Sequence, residues 1–538
     1  MSPDPTDAAP AGPPEGGAPG PGPTGGATGS TGGGEARRLG ALGKIALVVL
    51  PLPLLLLVVE GMLFTLDLGR HPWHQGLSRG FDPGARQIVA DRSERGAWRT
   101  NIHGAGKEVV IPPRDGRRRV LLFGGSNTQL FPERVLQDAL DEAEPDTWEV
   151  VNLGRSGYGA RRVRNLMEQV LPVLEPDVVL IYSGHNEFIE RVFEAEVQEL
   201  WEADWQRDLA ETFSGLRLFG ALVEALAPLE PPPSIDRIPP AERNIGWEQT
   251  LAFYDAYEQQ LADMCAMATD AGAQVVLCTL VGNPLAPPFV DTWNDGIPPD
   301  KRERFDELRR KAQSHLPKQA RQSLHPPRRL RVADWFDLTK PREEPWEPTL
   351  RTMLGALGET PVTAWDKGAS VEGAHWPDPA RWDDEVVAVL ETMDFYTNHE
   401  LTTDEAQRLE RARRWIDQAT ELVPDHPKGW FDKGLVCWLQ RDLPAAVEAF
   451  DKAASWDRSP SSANERIHAI VRRVAEAHAD DGVTYLDVSR WFREHCPDGL
   501  VGYEVMMDVC HIQPGARVPL MHLFADTLRA LPADRSDP

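Results

Sequence analysis

The stretch Val120-Leu121-Leu122-Phe123-Gly124-Gly125-Ser126-Asn127-Thr128 decides the reading of this chain. An apolar run of strand character ends in two glycines, and a serine follows at once. A strand that stops this way puts Ser126 on a tight strand-to-loop turn, the place where α/β folds expose reactive side chains. Alone, Gly-Gly-Ser is a turn signal. Its meaning depends on what surrounds it.

From about residue 118, strand and helix patterns alternate. Arg119–Phe123 reads as a strand and Glu133–Glu142 as a helix. Trp148–Leu153 is the next strand, followed by a helix over Arg161–Leu174 with Val163, Leu166, Met167, Val170 and Leu174 on one face. Asp177–Tyr182 is a third strand. Trp247–Ala271 is a helix and Gln274–Leu280 a fourth strand. Residues 281–400, rich in Pro, Trp and charge, yield no assignment. The pattern returns with a strand over Gly482–Val488 and a helix over Gln513–Leu531. The expected fold class is α/β, a parallel sheet with helices on both faces.

Between these halves lies a repeat. Ala412, Ala419 and Ile416 are followed 34 positions later by Ala446, Ala453 and Phe450. Trp430 and Gly434 fall where a tetratricopeptide repeat places its W and G. Pro424 breaks the register, since Arg458 stands at its counterpart and Pro460 two further on. Residues 401–462 thus resemble a tetratricopeptide-repeat-like helical hairpin that interrupts one α/β domain. The plain reading is a hairpin packed on that domain. The sharper reading is a docking surface for another envelope protein.

The amino end is of another kind. Residues 1–38 are a Gly/Pro-rich tail without a core, expected to be disordered. Arg37, Arg38 and Lys44 precede an apolar run ending near Leu68, and residues 39–69 read as a single transmembrane signal anchor. The basic flank keeps the tail in the cytoplasm and exports the rest, with residues 70–117 as a linker.

At 538 residues, with hydrophobic residues at 41 %, the chain is long enough for more than one domain. A formal net charge of −26 argues against a nucleic-acid surface. The five cysteines contain no CxxC pair. His495, Cys496, Cys510 and His511 lack paired metal-ligand spacing, so no metal and no cofactor is expected. Cys496 and Cys510 flank one loop and, in an exported chain, are candidates for a disulfide.

Three further short signals follow Ser126 in order. They are Asn152-Leu153-Gly154-Arg155-Ser156-Gly157, Ser183-Gly184-His185-Asn186-Glu187-Phe188 and Asp508-Val509-Cys510-His511. Acyl transfer needs a nucleophile, a base, a group that orients the base, and donors for an oxyanion. Ser126, His511 and Asp508, with the Ser126 and Gly157 amides and the Asn186 side chain, supply each part. His185 reads as a pocket or packing residue.

These four blocks resemble the SGNH hydrolases, also called the GDSL esterase/lipase family. The resemblance implies a flavodoxin-like three-layer domain over 118–300 and 463–538, with 301–400 as an insertion. It implies Ser126 as nucleophile, Asp508 and His511 as orienter and base, and Ser126, Gly157 and Asn186 as the oxyanion hole. Gly125 replaces the Asp of GDS, and Glu187 the Asp of the family's third block. Location and resemblance together point to an O-acyl group on an envelope lipid or glycan as substrate. Transfer of the acyl group to a sugar, or a non-catalytic scaffold, are the alternatives. Ile189–Pro228, with Trp201, Trp205, Phe213, Leu216, Phe219, Leu222 and Leu226 at helical spacing, reads as a lid or as ordinary packing.

Overall fold

The computed structural model describes residues 51–66, 80–81, 87–91, 94–100, 109–199, 213, 216–226, 245–288, 293, 296–317, 400–496, 499–502 and 505–532. The expected tail (1–38), the first part of the expected anchor, Trp201, Trp205 and most of the 301–400 insertion lie outside these. The chain divides into two compact units after Gly61.

Of the first unit only the start of helix α1, Pro51–Thr65, is described. It is apolar, with Glu60 its one charge. At 15 residues it spans roughly 22 Å, less than a bilayer core of about 30 Å. No helix among the described residues is long and apolar enough to cross a membrane.

The second unit is an α/β fold around a five-stranded parallel sheet. The strands are β4 (Arg118–Gly124), β5 (Trp148–Asn152), β6 (Val178–Tyr182), β7 (Gln274–Cys278) and β8 (Val483–Leu486), in the order β5-β4-β6-β7-β8. Val120 to Phe123 and Val178 to Ile181 are fully buried, because helices cover both faces. The direction of winding reverses at β4. Helix α3 (Glu133–Ala143) therefore takes one face with the last helix, Pro514–Ala530. Helices α4 (Ala160–Leu174) and Trp247–Asp270 pack together on the other. The register aligns Leu122 with Asn152 and with Leu180, and Gly124 with Tyr182. Three loops thus leave the sheet side by side at its carboxyl edge. Within the sheet, buried Arg119 meets Glu149 on the neighbouring strand at 2.7 Å.

Residues 70–117 are more than a linker. Short strands β1 (Ile88–Ala90), β2 (Trp98–Thr100) and β3 (Val110–Ile111) form a separate antiparallel sheet. Ile88 and Ile111 enter the main core, and the Tyr158 hydroxyl donates to Gln87 at 3.0 Å.

Between β7 and β8 the chain builds a helical unit with its own core. Its helices are Pro299–His315, Thr403–Leu422, Pro427–Leu439 and Leu443–Trp456. The first packs along the second and the third along the fourth. Ala412, Ala419, Ala446, Ala453, Ile416 and Phe450, the positions spaced 34 residues apart, are all buried in this core. At Gly434 an ideal Cβ would stand 2.6 Å from the Phe450 ring, so only glycine permits this approach. The expected two-helix unit over 401–462 is thus three helices, joined by Pro299–His315 from the stretch that gave no assignment. Phe305, Leu308 and Leu316 bind that helix to the core it shares. Asn464 then caps α12 (Glu465–Ala477) through the amides of Arg466 and Ile467, and the chain returns to the sheet.

Helix Glu190–Glu199, the start of the expected lid, is tied to α4. Arg162 meets Glu190 at 2.6 Å and Arg161 meets Glu194 at 2.7 Å. It packs; Phe213, Leu216 and Leu222, further along, stay exposed.

Candidate active site

Ser126 begins the short helix α2, Ser126–Gln129, directly after β4. Its Oγ lies 2.8 Å from His511 Nε2. His511 Nδ1 lies 2.7 Å from Asp508 Oδ2. The second carboxylate oxygen, Oδ1, accepts from the backbone N–H groups of Cys510 (2.9 Å) and His511 (2.8 Å). With Nδ1–H donated to the carboxylate, Nε2 keeps its lone pair for the serine hydroxyl. This is the geometry of a nucleophile, its base and the group that orients the base.

Two amides that the sequence did not single out hold the base's loop. Asn127 Nδ2 donates to the Cys510 carbonyl at 2.6 Å, and its Oδ1 accepts from the Ile512 amide at 3.0 Å. Asn283, after β7, donates through its side chain to the Asp508 carbonyl at 3.2 Å and through its backbone to Val509 at 3.0 Å. The loop also closes on itself, Met507 N–H to the His511 carbonyl and Gln513 N–H to that of Val505, both at 2.7 Å.

Electrostatics follow this geometry. A charged Cys510 sulfur beside the ring would raise the His511 pKa most, and the Asp508 carboxylate raises it too, against burial. Burial pushes the Cys510 thiol up, so the sulfur is uncharged near neutrality and the carboxylate is the charge His511 meets there. Burial opposes the charge on Asp508, yet His511 and the two amides keep its carboxyl below the usual range.

Asn186 leaves the end of β6 and donates through Nδ2 to the Tyr158 carbonyl at 2.9 Å. The same nitrogen stands 2.7 Å from where a Cβ on residue 125 would lie. An aspartate at 125 would therefore displace Asn186, which explains why glycine serves here. Gly157 adopts φ +75° in the neighbouring turn, and its carbonyl accepts from the Arg162 guanidinium. Arg162 is held by Glu190, which also accepts from the Gly159 amide at 2.7 Å. Glu187 accepts from the Ala160 amide at 3.1 and 3.2 Å. Both carboxyls thus serve the amino end of α4 and steady the Gly157 turn. Burial, and then Glu190 beside it, push the Glu187 pKa well up.

The five residues expected at the site, Ser126, Gly157, Asn186, Asp508 and His511, come together at one edge of the sheet. Ser126, His511 and Asp508 touch in sequence; Asn186 reaches the glycine before the nucleophile, and Gly157 precedes the residue whose carbonyl holds Asn186. His185 packs: its Nδ1 accepts from the Ala463 amide at 3.1 Å, and burial, then His511, hold its pKa down to about 3. The candidate disulfide between Cys496 and Cys510 is not formed, and the Cys510 sulfur lies 3.5 Å from His511 Nδ1. The ligand atoms of Asp508, Cys510 and His511 lie within 4.8 Å of one another, close enough to hold a metal ion. That grouping was not visible as paired spacing, because one tight loop creates it.

Comparison with family models, curated proteins and solved structures finds no match to this chain.

Proposed function

We propose that the chain is a serine hydrolase of the SGNH (GDSL) type that cleaves an ester through an acyl-enzyme. The observation that carries the reading is the unbroken contact from Ser126 Oγ through the His511 ring to the Asp508 carboxylate. The strand order, 2-1-3-4-5 from β4 onward, supports the flavodoxin-like form of the fold. The serine hydroxyl passes its proton to Nε2 as Oγ attacks the acyl carbon. The imidazolium so formed is stabilised by Asp508. Asn186 Nδ2 has one hydrogen on Tyr158 and a second for the oxyanion. The Ser126 and Gly157 amides complete that hole. His511 then returns the proton to the leaving alkoxide, and water repeats the cycle.

The helical unit is read as tetratricopeptide-like, in keeping with its two packed helix pairs and the Gly434–Phe450 approach. Residues 39–69 are read as a single-pass anchor and the catalytic domain as extracytoplasmic, on the basic flank before the apolar run. The substrate class in that setting is an O-acylated envelope lipid or glycan.

The test is covalent. The protein should hydrolyse a short aryl ester and be labelled by a fluorophosphonate, and Ser126→Ala should abolish both. Undiminished labelling of that variant overturns the assignment.

A further inference from the structure

The turn from Asp508 to His511 puts three different metal-binding groups around one ring nitrogen. Cys510 Sγ lies 3.5 Å from His511 Nδ1, and Asp508 Oδ2 lies 2.7 Å from the same nitrogen. The three ligand atoms fall within 4.8 Å of one another. A tetrahedral ion with bonds of about 2.3 Å to sulfur and about 2.0–2.1 Å to nitrogen holds those two atoms roughly 3.5 Å apart. The sulfur and the nitrogen are thus already spaced as two ligands of one zinc-sized ion. The carboxylate oxygen is closer than a ligand by roughly 0.6 Å, because it accepts the Nδ1 proton. A small rotation about Oδ1 makes up that distance.

The ligands are also braced from behind, as those of an ion are. Asp508 Oδ1 accepts from the Cys510 and His511 amides. Asn127 spans the backbone on either side of His511, and Asn283 holds the Asp508 carbonyl. Cys510 is buried, but the His511 and Asp508 side chains keep 18 % and 14 % of their surface open, so an ion has a way in. A thiolate, an imidazole and a single carboxylate suit zinc and not magnesium or calcium, which seek oxygen.

We propose that Asp508, Cys510 and His511 form an inhibitory site for a thiophilic divalent cation of the zinc type. On binding, the Cys510 S–H bond breaks, a sulfur–metal bond forms, and the proton goes to solvent. A neutral imidazole carries a single ring proton. With the ion on Nδ1, that proton moves to Nε2, the nitrogen 2.8 Å from Ser126 Oγ. The ring then donates to the serine instead of accepting from it. The ion also takes the Asp508 carboxylate away from its work of orienting the base. Catalysis stops with no movement of Ser126. Metal binding stands on the ligand geometry alone; only its effect on catalysis rests on the serine-hydrolase reading.

The test has two arms, both on the full chain. In the first, hydrolysis of 4-nitrophenyl acetate and labelling by a fluorophosphonate are followed against added zinc, with magnesium as the control cation. Zinc should suppress both, a chelator should restore them, and magnesium should have no effect. A residue that merely supports a ligand is worth about 10- to 100-fold in metal affinity, and a ligand at least that. Cys510→Ser should therefore need about ten-fold more zinc, or beyond, for the same fractional loss from its own zinc-free rate. Cys496→Ser should respond as wild type does. An active wild type indifferent to zinc overturns the proposal, and so does equal sensitivity in Cys510→Ser. In the second arm, cobalt(II) is added to Ser126→Ala and the thiolate-to-cobalt charge-transfer band is recorded. The band should saturate at one cobalt per chain with release of one proton, and vanish when Cys510→Ser is added. No band in Ser126→Ala overturns the proposal, whether or not the double variant folds. A band that persists in the folded double variant belongs to another cysteine and overturns it too. If no ester is hydrolysed and no label is taken up, the hydrolase reading fails, and the cobalt band still decides on the metal site.

Discussion

Asn127 grips the backbone on both sides of His511: it donates to the carbonyl before the histidine and accepts from the amide after it. The residue after Ser126 thereby sets the position of the imidazole that faces it, although 385 residues separate Ser126 from His511. Asn127→Ala leaves a buried carbonyl and a buried amide unpaired, at about 1–3 kcal/mol each. It should lower kcat about 100-fold, the effect of misplacing a catalytic group by roughly 1 Å. Fluorophosphonate labelling should slow without vanishing. Wild-type kcat in this variant would show that the loop holds itself.

The pH dependence has a definite sign. His511 must be neutral to take the serine proton, and the Asp508 carboxylate against its ring raises its pKa above the ordinary imidazole value in the folded chain. Activity should therefore be lost as pH falls through that raised value, with the acid limb of kcat/KM above pH 6.5. Stability linked to His511 runs the other way, present in full below the unfolded value and lost as pH rises through the folded one. Asp508→Asn should bring the limb down towards 6.5 and lower kcat by on the order of 10,000-fold. A limb that stays put in that variant would assign the titration to another group.

Asn186 should act on the transition state. Asn186→Ala removes a donor that an oxyanion uses fully and a ground-state carbonyl weakly, so kcat should fall about 100- to 1,000-fold with KM little changed. Gly125→Ala should reproduce part of this loss from the other side, because its methyl group meets Asn186 Nδ2. Steady-state kinetics of both variants would check the pair; full activity in Asn186→Ala would move the oxyanion hole elsewhere.

Gly434→Ala tests the helical unit apart from the chemistry. The added methyl group forces the Phe450 ring away and should cost about 1–3 kcal/mol, read as a lower urea midpoint with ligand-free protein. A neutral result would mean that the helix pair separates without penalty.

The features legible in the sequence share a physical basis. Val120–Phe123 and Val178–Tyr182 read as strands because burial on both faces leaves an unbroken apolar run. Ala412 and Ala446 stand out by their 34-residue spacing, and both are buried in the core of the helical unit. The strands at Ile88–Ala90 and Trp98–Thr100 are too short for alternation to register. Helix Pro299–His315 hides its few buried positions, Phe305, Leu308 and Ala312, among charges. Asn127 and Asn283 carry no pattern at all; only the fold brings a single amide to a loop hundreds of residues away. Nothing in the spacing around Glu187 marks its work at the amino end of α4, which the contact with the Ala160 amide shows.

The placement of the helical unit between β7 and β8 also orders events in time. Ser126 leaves the ribosome early and His511 almost last. At about 5–20 residues per second, roughly 20–80 s pass between them. During that interval the serine has no partner to take its proton. On the hydrolase reading the chain would be synthesised as its own inactive precursor, silent until the last strand and the loop after it close on a sheet whose other members are already made. A nascent chain stalled before residue 505 would carry a complete Ser126 turn and no hydrolytic power.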